Sequence, residues 1–124
     1  MWAKLVHEGE MAVLEERPRP GDLPSSAAAD VLPEAEVVVI TGMAFVNQTL
    51  EGLLRLCSPR AHVILAGPST PLTTVLFDHG AHQLCGAVVQ NNEAVLRAVR
   101  AGDGFHGVHR AGVRLVTIGA DSPT

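Results

Sequence analysis

Two stretches of the sequence share one plan, and this plan restricts the fold more than any other feature. Residues 37–56 and 62–77 each begin with an apolar run, pass through glycine and small polar residues, and continue in a helix-like pattern. Such a run indicates a strand buried on both faces, and the amphipathic segment after it indicates a crossover helix. The repeat predicts a Rossmann-like α/β sandwich of three layers with a mostly parallel sheet.

The same plan predicts where a ligand would bind. In open parallel sheets the crevice lies at the carboxyl ends of the strands, which here lead into the turns 42–49 and 67–71. The polar and glycine residues of these turns are the ligand-binding candidates: Thr41, Gly42, Asn47, Thr49, Gly67, Pro68, Ser69 and Thr70. The sequence thus predicts the position of a site before it indicates a reaction.

Size and charge exclude several classes of protein. With 124 residues and 47% hydrophobic residues, the chain is expected to form one domain over 1–124. The net charge of -4 and the absence of a basic cluster argue against nucleic-acid binding. No apolar run approaches the roughly 18 residues of a membrane span, and charges interrupt the first ten residues where a signal peptide would be apolar. We expect a cytoplasmic protein with no membrane partner.

The remaining elements are predicted from pattern and capping residues. Residues 2–7 are expected to end a helix, and residues 11–15 to form a short strand, followed by an extended connection over 17–26. Ser25 or Ser26 is the expected N-cap of a short helix that Pro33 stops. Residues 37–41, 62–66, 84–89 and 113–118 are the other predicted strands, and residues 120–124 are expected to form a frayed tail.

Three longer helices are expected, one after each of the predicted strands 37–41, 62–66 and 84–89. Asn47 or Thr49 is expected to cap a helix through Cys57, and Asn92 to cap one over 93–101 that ends at Gly102. Thr70 is the predicted cap of a helix that begins at Pro71 and ends near Gly80. The glycine-rich stretch 102–107 is expected to be a loop.

The two turns differ in their chemistry. Residues 67–71 combine a glycine, two hydroxyls and an expected helix N-terminus, which are the components of an anion site, or equally of an ordinary capped turn. They match neither the GxxxxGK[ST] nor the GxGxxG motif. The turn 41–49 places Phe45 and Val46 where polar residues are usual, and Asn47 offers both a donor and an acceptor.

Histidines supply the other candidate chemistry. His79 and His82, and His106 and His109, form two His-x-x-His pairs that are candidate ligands for a transition metal. Each pair spans a glycine and lacks a companion carboxylate or cysteine motif, so surface histidines in turns are the favoured interpretation.

The sequence contains no complete catalytic set. Asp78 is a possible partner for His79, GPSTP is not a nucleophile elbow, and no catalytic residue is assigned. Whether the chain is an enzyme stays open. Cys57 and Cys85 are expected to be reduced and buried.

These turns resemble those of a known family. The TG-x-x-x-VN-x-T and GPS-x-PL motifs, within the segments 35–57 and 61–102, are similar to the C-terminal Rossmann-like part of the putative heavy-metal chelation family, a domain of unknown function. The matching residues are Thr41, Gly42, Val46, Asn47 and Thr49, and Gly67, Pro68, Ser69, Pro71 and Leu72. The resemblance covers roughly residues 11–102. It implies a small ligand, a transition metal or a metal chelate bound in a cleft.

The resemblance also implies parts that this sequence lacks. Family members carry an N-terminal domain that resembles the enolase N-terminal fold, then a first Rossmann strand and helix, before the matching segment. We therefore expect the neighbouring strands to have open edges and the chain to form a homodimer or to recruit a partner chain with the missing domain. Three functions stay open: a ligand-binding or chelate-binding domain, part of an enzyme completed by that domain, or a truncated interaction module.

Overall fold

The computed structural model describes residues 3–121, whose strands form a single seven-stranded sheet. The strands are β1 (Ala3–His7), β2 (Glu10–Glu15), β3 (Leu23–Pro24), β4 (Val37–Thr41), β5 (His62–Ala66), β6 (Gln83–Val89) and β7 (Val113–Gly119). Their order across the sheet is β3-β2-β1-β4-β5-β6-β7. The predicted α/β fold class is confirmed.

Most strands of this sheet point the same way. The pairs β2/β3, β4/β5 and β5/β6 are parallel, while β1 is antiparallel to both β2 and β4, and β7 is antiparallel to β6. It follows that five of the seven strands share one direction, and β1 and β7 run against them. The carboxyl ends of β4, β5 and β6 consequently lie along one edge of the sheet.

The strand β1 corrects two predictions. Residues 3–7 of the predicted helix end are a strand, with Ala3 and Leu5 buried on one face; Trp2 lies outside the described residues. A two-residue turn with positive φ at Glu8 (49°) and Gly9 (79°) joins it to β2, which is the geometry of a tight hairpin. Because β1 pairs with β4 from Ala3↔Ile40 to Val6↔Val37, the open edge expected beside β4 is filled.

The helices are short except near the carboxyl end. They are α1 (Ala28–Val31), α2 (Met43–Val46), α3 (Leu50–Leu56), α4 (Val75–Asp78), α5 (Asn92–Arg100) and α6 (Phe105–Gly112), with 3-10 turns at Ser25–Ala27 and Leu32–Glu34. The stretch 102–107, expected to be a loop, contains the start of α6. None of the helices within residues 3–121 has the length and apolar character needed to cross a bilayer.

Several predicted caps were wrong. Pro24 precedes the first 3-10 turn without a capping side chain, so neither Ser25 nor Ser26 caps, and Pro33 lies inside the second 3-10 turn. The cap of α5 is Asn91, whose Oδ1 accepts from Ala94 N at 3.1 Å, instead of Asn92. One-residue shifts of this kind arise because adjacent asparagines offer the same capping chemistry.

The core lies along the central strands. The largest fully buried side chains are Leu14, Leu32, Val38, Ile40, Leu53, Val63, Leu65 and Leu84. Five of them belong to β4, β5 and β6, the strands predicted from continuous apolar runs. This core fixes the ends of β4 and β5 from which the two candidate turns emerge.

Candidate functional site

The two predicted turns are in direct contact. Gly42 N donates to Ala66 O at 2.9 Å, and Gly67 N donates to Cys85 O at 3.0 Å, so each turn is tied to the next strand of the sheet. A Cβ on Gly42 would lie 2.5 Å from Thr70 N and 2.8 Å from Ser69 C. Gly42 is therefore required for the backbone of the second turn to approach the first.

A buried hydroxyl lies at this contact. Thr70 is 5% exposed, and its Oγ1 has no hydrogen-bond partner among the described residues. This oxygen lies 2.7 Å from the position of a Cβ on Gly42, which places it between the turns. A buried polar atom without a partner costs about 1–3 kcal/mol, so it requires an explanation.

Two of the three backbone N–H groups in the second turn, residues 67–71, already donate to carbonyls. Thr70 N donates to Gly67 O at 3.1 Å, which closes a turn, and Gly67 has a φ of +122°. The helix predicted to begin at Pro71 begins instead at Val75, and residues 71–73 have no regular secondary structure. Because Gly67 N and Thr70 N already donate to carbonyls and Pro68 has no N–H, few backbone donors are left for an anion.

The first turn contains the short helix α2. Thr41 Oγ1 accepts from Met43 N at 3.4 Å, and Asn47 Oδ1 accepts from Thr49 Oγ1 at 2.6 Å. The side chain of Asn47 thus stabilises the turn to which it belongs. Thr49 is at the N-cap position of α3, but its side chain makes no capping hydrogen bond. Three apolar side chains stay exposed on α2, at 50% for Met43, 53% for Phe45 and 58% for Val46.

A groove begins at this helix. Its volume is about 660 Å³, and it is lined by Phe45, Gln48, Leu50, Glu51, Leu54, Arg55, Leu76 and His79. An ion pair of 2.6 Å between Arg55 Nη2 and Glu51 Oε1 lies on its wall. The groove shares Phe45 and Gln48 with the first turn, but the eight ligand-binding candidates are not among its lining residues.

The sequence analysis did not identify Gly86, a residue of β6 that lies against the second turn. A Cβ there would lie 3.0 Å from Thr70 O and 2.9 Å from Leu72 Cδ2. A glycine in the middle of an apolar strand is a known signal of close backbone approach, and Gly86 carries that signal in the sequence.

The two histidine pairs lie in different surroundings, and the second pair lies on α6 instead of in a turn. His82 packs on His62, with ring centroids 5.2 Å apart, and its Nδ1 accepts from Val63 N at 3.1 Å at the amino end of β5. His79 lines the groove. In the other pair, His109 stacks on Phe105 with centroids 5.9 Å apart, and His106 contacts the same ring at 6.2 Å.

The donor set for a metal ion is incomplete. Within residues 3–121 no group of three His, Cys, Asp or Glu side chains is arranged to hold a metal ion. Cys57 and Cys85 are free thiols, as expected, although both are only half-buried. Burial raises the pKa of the Cys57 thiol from 9.0 to about 11, so at neutral pH it stays protonated and is a poor ligand. The described residues therefore do not fit a bare metal ion.

The fold and the paired turns define a Rossmann-like α/β domain. The model of the DUF364 family, described as putative heavy-metal chelation, matches residues 2–117, so the chain belongs to that family. A search of curated proteins returned no match.

Two solved structures support this assignment. A DUF364 protein of unknown function from Desulfitobacterium hafniense is 41% identical, with a TM-score of 0.76 over 87% of this chain and 43% of that one. Another, from Pyrococcus horikoshii, is 20% identical, with a TM-score of 0.77 over 87% of this chain and 46% of that one, and is similar in fold. The chain thus spans less than half the length of either protein.

Proposed function

We propose that this chain is a small-ligand-binding domain whose site lies between the turns that follow β4 and β5. The observation that carries the proposal is the Thr70 hydroxyl, which is buried beside Gly42 without a hydrogen-bond partner. A ligand with a polar group at this contact would give the hydroxyl a partner and offset its desolvation. The proposal therefore assigns Thr70 the role of a ligand hydrogen-bond donor or acceptor.

The residues around Thr70 indicate the class of ligand. The segments 41–49 and 67–71 contain no charged residue. Burying a net charge there would be costly without a compensating partner. The exposed apolar side chains of Met43, Phe45 and Val46 would contact an apolar part of a ligand. A ligand of low net charge, with a polar edge and an apolar body, fits this combination.

The family description adds a specific hypothesis. Because the described residues supply no complete metal donor set, a metal would arrive as a chelate that brings its own ligands. A chelate whose ligands neutralise the metal charge also fits the uncharged turns. We propose a neutral metal chelate as the ligand class.

A second function is favoured by chain length. Because the chain covers 43% and 46% of the two solved relatives, a complete protein of this family would supply further residues to the same cleft. The domain would then be one part of an enzyme, or of a larger binding protein, completed by a partner chain. A companion chain encoded nearby would favour this alternative.

Replacing Thr70 with valine tests the binding role. Valine keeps the shape and removes the hydroxyl, so we expect the free energy of unfolding to rise by about 1 kcal/mol, measured by urea denaturation. Affinity for zinc bis-histidinate, a neutral chelate, is expected to fall about two- to tenfold in a calorimetric titration. Free Zn²⁺ and histidine alone are the reference titrations.

Thr117→Val is the matched control. Thr117 lies on β7, outside both turns, and its Oγ1 donates to Cys85 Sγ at 3.6 Å, so this variant is expected to change stability by no more than about 1 kcal/mol and to keep its affinity for the chelate. The proposal fails if Thr70→Val binds the chelate as tightly as the wild type, or if the wild type binds free Zn²⁺ more tightly than the chelate.

A further inference from the structure

The two outer strands of the sheet differ in how well their edges are protected. At one side the sheet ends in β3, which has two residues and includes Pro24. At the other side it ends, within residues 3–121, in the seven-residue strand β7. Short strands and proline block further pairing, whereas a long strand without them offers a row of donors and acceptors. Among the strands that the structure describes, β7 is thus the outer strand better suited to further pairing.

The register of β6 and β7 tells which backbone groups face outward. Gln90 N donates to Gly112 O at 2.8 Å, and Ala120 N donates to His82 O at 3.0 Å, one at each end of the ladder. Hydrogen-bonded positions alternate in an antiparallel pair, so the even-numbered residues of β7 bond to β6. The N–H and C=O groups of Val113, Leu115 and Thr117 therefore point away from the sheet.

The side chains of this edge do little to prevent pairing. Leu115 is 57% exposed at the middle of the strand, and β7 contains neither proline nor lysine. Its one charged residue is Arg114. Edge strands are usually protected by several charges, by proline or by a bulge, so an apolar strand of this length is suited to pairing.

We propose that a second copy of this chain pairs with β7 in antiparallel orientation, with the two-fold axis at Leu115. A strand that pairs with its own copy in this way needs no second type of surface, because the interface is isologous. Leu115 would then face Leu115 of the second copy, and Val113 would face Thr117. Each of these outward positions would exchange N–H···O bonds with its partner.

The charges of the strand agree with this register. With the axis at Leu115, Arg114 lies opposite Val116 of the other copy, so like charges do not meet. A register with the axis at Arg114 would bring two guanidinium groups together, which is unfavourable. This interface is distinct from the ligand site, because β7 lies beyond β6, on the side of the sheet away from β4.

Leu115→Lys tests the proposal on the full chain. We expect the wild type to sediment as a dimer at tens of micromolar. In Leu115→Lys two ammonium groups would face each other, and the dissociation constant is expected to rise by about tenfold or more. Added salt is expected to recover part of the loss, because it screens this repulsion.

Leu96→Lys is the matched control. Leu96 is 52% exposed on α5, so its replacement adds the same positive charge to a helix surface and leaves the strand edge unchanged. This variant is expected to stay dimeric. Circular dichroism melts check that both variants are folded. A monomeric wild type would overturn the proposal, and so would a Leu115→Lys protein that dimerises as tightly as the wild type. If the monomeric wild type instead binds an added extended peptide, the proposal of a second copy is also wrong and β7 pairs with a different partner.

Discussion

Replacing Leu5 with alanine is expected to lower the free energy of unfolding by about 2–5 kcal/mol, the usual cost of deleting a buried leucine side chain. Leu5 is 4% exposed on β1, which lies between β2 and β4. Its main-chain position is paired with Ala12 on one side and Val38 on the other. The expected loss is large because β1 is an inner strand, despite its position near the amino end of the chain.

Met11→Ala is the control for this prediction. Met11 lies on the neighbouring strand β2 and is 61% exposed, so its replacement should change stability by no more than about 0.5 kcal/mol. Urea denaturation of the two variants gives the comparison. If both variants are as stable as the wild type, residues 3–7 do not occupy the inner position and the edge of β4 is open after all.

Replacing Gly42 with alanine is expected to cost about 1–3 kcal/mol, or more if the two turns cannot separate. The backbone at Gly42, with φ of -57° and ψ of -21°, suits alanine, so no conformational strain is involved. The penalty arises from contact alone, because the new Cβ would lie 2.5 Å from Thr70 N. A backbone atom cannot move aside as a flexible side chain can.

Gly52→Ala is the matched control, since a Cβ at this position in α3 meets nothing within 4 Å. Alanine is a better helix former than glycine, so this variant is expected to gain about 0.5–1 kcal/mol. Thermal and urea unfolding of the pair measure the contrast. Equal stabilisation by both substitutions would show that the turns are not in contact in solution.

The strands that sequence analysis predicted best are those with continuous apolar runs. Val37–Thr41 and His62–Ala66 agree with prediction because a run of β-branched and aliphatic residues between turn signals has few alternatives. The strand β1 was missed for the opposite reason. Its five residues are too few for a period to be recognised, and the Glu8-Gly9 turn is not one of the common Asn-Gly or Asp-Gly hairpin turns.

The position of the two turns could be predicted, but not the contact between them. The order of strand, glycine and helix placed both turns at the carboxyl ends of parallel strands. The contact between Gly42 and Thr70 has no local signal, because it depends on how two turns far apart in the sequence pack together. The error at Pro71 has the same origin: its sequence suits a helix start, but residues 71–73 have no regular secondary structure and the helix begins at Val75.

The location of a bound chelate tests the central claim most directly. The measurement is a titration of the ¹⁵N-labelled chain with zinc bis-histidinate, followed by amide chemical shifts, with free histidine as the reference. We predict that the largest changes occur at Gly42, Gly67, Ser69 and Thr70, and that Thr70→Val reduces them at equal chelate concentration. Changes centred on His62 and His82, or no changes at saturating chelate, would contradict the proposed site.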